Sequence, residues 1–163
     1  IPELKEAAVM LQSQWQAIGA EVEVKIFEIG DLNQDIIKTR KYDALLFGEI
    51  VGRDLDLYPF WHSSNRNSPG LNVAMYTNSK ADKILENIRK TSDKASLETN
   101  LQNFSKEIRT DVPAVFTYSP YFIYITPSKV KNVELGLLSS SGERFGEVNK
   151  WYIETNNVWK IFQ

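Results

Sequence analysis

The chain has 163 residues, of which 42% are hydrophobic and 25% charged, with a formal net charge of −2. That suits one ordinary domain with enough apolar content for a core. It lacks the basic excess of a nucleic-acid binder, and no apolar run approaches the ~18 residues of a membrane span. With no cysteine, the redox compartment stays open.

The chain opens at Ile1-Pro2 almost directly into a helix, with no positively charged start or small-residue cleavage site; this reads as a boundary inside a longer protein. Residues 2–18 place Leu4, Ala8, Leu11, Trp15 and Ile18 at spacings of three and four, an amphipathic helix with one apolar stripe. Pro2 suits its first turn and Gly19 the position past its end. The stretch EVEVKIF, residues 21–27, alternates Val22, Val24 and Ile26 with Glu21, Glu23 and Lys25, the pattern of a strand with one wet face. Asp31 is placed to cap a short helix to about Lys41 that turns Leu32, Ile36 and Ile37 inward. Residues 44–47 form a continuous apolar run, as in a strand covered on both faces. Helix, strand, helix, strand with short connections predicts a right-handed parallel crossover.

Two further helices follow residues 48–76. Asn78 or Ser79 caps the first, with Ala81, Ile84, Leu85 and Ile88 inward; Asp93 caps the second, with Leu97, Leu101, Phe104 and Ile108 inward. The sequence Asp111-Val112-Pro113 stops it, because a residue before proline leaves the α region. Residues 114–126, AVFTYSPYFIYIT, are β-branched and aromatic, and Pro120 splits them into two strands or one kinked strand. Residues 139–142 form a turn. The end of the chain is apolar again, with Trp151, Tyr152, Ile153, Val158, Trp159, Ile161 and Phe162, and must dock somewhere.

Catalytic groupings are scarce. His62 is the only histidine, so a hydrolase would rest on it with Ser63 or Asp54, and a loop histidine is the plainer reading. No G-x-S-x-G elbow occurs. Gly48 and Gly52 lack the lysine and third glycine of phosphate-binding loops. A zinc site would need more than one histidine without cysteine. No cofactor, metal or catalytic residue is therefore expected. Tyr58, Phe60, Trp61 and Tyr76 stand in or beside a loop, where aromatics need packing or a ligand. Ligands of parallel α/β sheets gather beyond the carboxyl ends of strands, which directs attention to residues 48–56.

The ordered phrases LQSQWQAIGAEVEV, YDALLFG, RDLDLYPFWHSS, NVAMYTNSKADKILENIRKTSD, LQNFSKEIRTDVPAVFTYSPYFIY and ERFGEVNKWYIET run over nearly the whole chain. Together they resemble the carboxyl-terminal lobe of extracellular solute-binding proteins of ABC importers, in the peptide/nickel-binding class. The resemblance implies an α/β, periplasmic-binding-protein-like lobe with a mixed, partly parallel sheet flanked by helices. It implies a lobe over residues 1–143, and an apolar tail over 144–163 that docks toward a missing lobe. Arg53-Asp54-Leu55-Asp56 stands where that family often has Asp-Pro-Asp, with Leu55 in place of proline. Asn72 and Tyr76-Thr77-Asn78 match a further family segment, and Asp82 the aspartate after it. The residues so marked for the ligand are Glu49, Val51, Arg53, Asp54, Trp61, Asn72 and Tyr76. Val51 or Glu49 falls where family peptide binders carry the aspartate that holds the ligand amine.

The function implied is capture of a peptide or similar small solute between two lobes and delivery to a membrane permease. No nucleic-acid partner is expected. The full-length form would be periplasmic or extracellular, anchored as a lipoprotein. Two other readings stand beside it: an interaction or assembly domain that dimerises through the apolar tail, and a small hydrolase using His62.

Overall fold

The computed structural model describes residues 2–52, 54–136 and 138–153. They fall into two compact units: Ile1–Glu49 with Leu57–Ala114, and Ile50–Asp56 with Val115–Gln163.

The first unit is helical. Helix α1 spans Pro2–Ala17, and Gly19 follows at φ +89°, the left-handed turn that glycine adopts without a Cβ penalty. Leu4, Ala8 and Leu11 of its stripe are half-buried, but Trp15 and Ile18 are exposed and no residue of α1 is fully buried. Gln12 Nε2 donates to the Val22 carbonyl at 2.9 Å and holds the following segment to the helix. Helix α2, Ile29–Asp31, runs straight into a π-helical turn, Leu32–Ile37. Asp31 is inside this helical run and makes no cap, while Leu32, Ile36 and Ile37 turn inward as their spacing requires.

After the four-residue helix α3, Tyr58–Trp61, comes the hairpin that carries the core. Helix α4 is Ser79–Lys90 and α5 is Lys94–Asp111. Both start where side chains supply the missing acceptors. Asn78 Oδ1 accepts from Lys80 N and Ala81 N, and Asp93 Oδ2 accepts from Ser96 N. Ala81, Leu85 and Ile88 of α4 meet Phe104 and Ile108 of α5, joined by Trp61 and Tyr76. Leucines 57, 97 and 101 pack around them. Burying a leucine-sized side chain contributes about 1.5–3 kcal/mol, so this cluster is the main stabilising element of the unit. Helix α5 ends on Val112 in the left-handed region, φ 48° and ψ 50°.

In the second unit, strand β1 (Val130–Lys131) pairs antiparallel with β2 (Tyr152–Ile153), Val130 opposite Ile153 and Lys131 opposite Tyr152. Asn132 Nδ2 donates to the Lys150 carbonyl at 3.1 Å beside this pair. Tyr124 stands against Phe145 and Trp151, at ring separations of 6.4 and 6.1 Å. Arg144 covers the Phe145 ring at 4.3 Å.

The expected mixed, partly parallel sheet is corrected by this pairing. The only ladder among the described residues is two-stranded and antiparallel. Residues 21–27, 45–47 and 114–126 run without helix or turn but take no ladder partner. The physical reason is that alternation settles which face of a segment is apolar and does not supply the second backbone that makes it a strand. No helix among the described residues is long and apolar enough to cross a membrane.

Candidate functional site

Residues 48–56 hold four of the residues marked by the sequence. In the first unit, Glu49 keeps contact with water, yet the atoms crowded around its carboxyl push it up to about 7 by desolvation. In the second unit, Val51 is half-buried and Asp54 exposed. The Asp54 carboxylate folds over Gly52, where an added Cβ would meet Oδ1 at 2.9 Å. The turn closes with Leu55 N donating to the Gly52 carbonyl at 3.0 Å and Leu55 at φ 52°. That oxygen is the free end of an exposed side chain and can swing away, so the contact does not by itself demand glycine, whereas Leu55 takes a conformation closed to proline. Arg53 lies outside the described residues. With no parallel sheet among the described residues, the strand-end rule does not apply to residues 44–47.

The other three marked residues come together in the first unit. Trp61 and Tyr76 are buried, with ring centroids 6.4 Å apart at 75°, and Trp61 meets Phe104 at the same separation. Asn72 has no exposed surface. Its Nδ2 donates to the carbonyls of Trp61, His62 and Tyr76 at 3.3, 3.2 and 3.0 Å, and its Oδ1 accepts from Tyr76 N at 3.1 Å. One amide thus closes the loop between residues 61 and 76 from inside, and its polar atoms are taken up by the backbone. Gly70 allows the chain to cross itself, since a Cβ there would sit 2.1 Å from the Asn65 carbonyl.

Tyr76 Oη donates to Asp111 Oδ2 at 2.6 Å, and Asn78 Nδ2 donates to the same oxygen. These bonds hold the Asp111 carboxyl below its usual range. Burial, then the Asp111 bond, raises the Tyr76 phenol. Asp111 is the last residue of α5, where a negative charge opposes the helix dipole. That unfavourable placement is the sequence signal of its tertiary role.

His62 is buried and stacked on Tyr58, 4.0 Å between centroids at 16°, with the Arg89 guanidinium 3.9 Å from the Tyr58 ring. Its Nδ1 accepts from Ser64 N at 3.1 Å, with Ser64 Oγ 2.7 Å away. The neutral ring therefore carries its hydrogen on Nε2. That atom is buried without a hydrogen-bond partner, 3.8 Å from Asp82 Oδ1 and 3.6 Å from Glu86 Oε1. Asp82 accepts from Ser63 N at 2.9 Å and Ser63 Oγ at 2.6 Å. The arrangement is a cap: ring and carboxylate close the 3-10 turn Ser63–Asn65. Among the described residues no group of three metal-ligating side chains occurs.

Two residues given no tertiary role by their spacing tie the loop down. Arg40, at φ 56°, donates to the carbonyls of Ile37, Arg66 and Gly70 at 2.8, 3.1 and 2.6 Å. Tyr42 Oη donates to the Val73 carbonyl at 2.6 Å.

Over 117 residues, 71% of its length, the chain is 30% identical to the oligopeptide-binding protein AppA of Bacillus subtilis (strain 168). The match covers 21% of that protein, so the chain spans about a fifth of the length of this relative. No family model matches the chain, and no solved structure matches it significantly.

Proposed function

We propose that the chain is part of a solute-binding protein of an ABC importer, whose full-length form holds a peptide between two lobes and hands it to a membrane permease. The observation that carries this is the 30% identity over 117 residues to an oligopeptide-binding protein. In this reading the protein does no chemistry of its own. It works outside the cytoplasmic membrane, held there by a lipid anchor. Residues 1–143 belong to the solute-binding lobe; of the apolar tail assigned to 144–163, residues 154–163 lie outside the described residues.

Within the chain, we assign the ligand-facing role to residues 48–56. Glu49 meets the ligand amine, Val51 gives apolar contact, and Arg53 and Asp54 hold polar groups. A carboxyl already deprived of part of its hydration loses less on meeting an ammonium than a fully hydrated one. Trp61, Asn72 and Tyr76 keep a structural role in their own unit: they are buried, and every polar atom of Asn72 is engaged.

Calorimetric titration of the full-length protein with peptides of three to five residues tests the reading. Saturable binding at micromolar Kd or tighter is expected, weakened about tenfold or more by Glu49→Gln. Absence of binding across a varied peptide panel overturns it. The isolated chain should bind the same peptides far more weakly, because one lobe supplies only part of the contacts.

A further inference from the structure

We draw no further inference here: the strongest candidate, the uncharged surface segment 115–126 with apolar side chains exposed on both of its faces, carries nothing because nothing in the structure shows what covers it.

Discussion

The hairpin of α4 and α5 is largely polar with one apolar stripe, the segment 114–126 is apolar along most of its length, and the two end in opposite environments. Ala81, Leu85, Phe104 and Ile108 are buried. Tyr121, Ile123 and Ile125 stand in solvent. A helix satisfies its backbone internally and needs only one apolar stripe covered, which a second helix across a three-residue connection provides. An extended segment needs both a backbone partner and a cover for its faces. Apolar content alone does not decide burial; the distance along the chain to the partner does.

That contrast is sharpened by substitutions ordered by expected size. Leu85→Ala, in the hairpin, should cost about 3 kcal/mol in urea unfolding, since a fully buried leucine leaves a cavity. Asn72→Ala should cost on the order of 2–3 kcal/mol by orphaning Tyr76 N and the three carbonyls it bridges. Val112→Gly should stabilise by roughly 0.5–1 kcal/mol, because a β-branched residue at φ 48° is strained by more than the added glycine entropy. Ile26→Ala, in the exposed run 21–27, should change stability by less than about 0.5 kcal/mol. Equal effects of Leu85→Ala and Ile26→Ala would break the comparison.

What was legible follows the same line. Asn78 and Asp93 announce both hairpin helices, and the apolar spacing selects the residues that meet. The end of α1 at Gly19 is equally plain. The π turn over Leu32–Ile37 is not, because its extra residue leaves the inward positions of Leu32, Ile36 and Ile37 intact. The mixed sheet was read from segments whose ladder partners are not among the described residues. Of the marked residues, Trp61, Asn72 and Tyr76 converge, but as the inside of a loop. Nothing local distinguishes an asparagine that closes a loop from one that faces a ligand, since both need the same amide. Arg40 and Asp111 act across 30 and 35 residues, a separation that spacing rules do not reach.

The most direct test of the central claim, that residues 48–56 face a peptide, is the pH dependence of peptide affinity in the full-length protein. A Glu49 carboxyl raised to about 7 is neutral below that value and charged above it. An ammonium needs the charged form. Affinity for a free-amine peptide should therefore rise at least about tenfold from about pH 5.5 to about 7.5, following the charged fraction. It should fall and flatten in Glu49→Gln. The same affinity and the same pH profile in that variant would contradict the account.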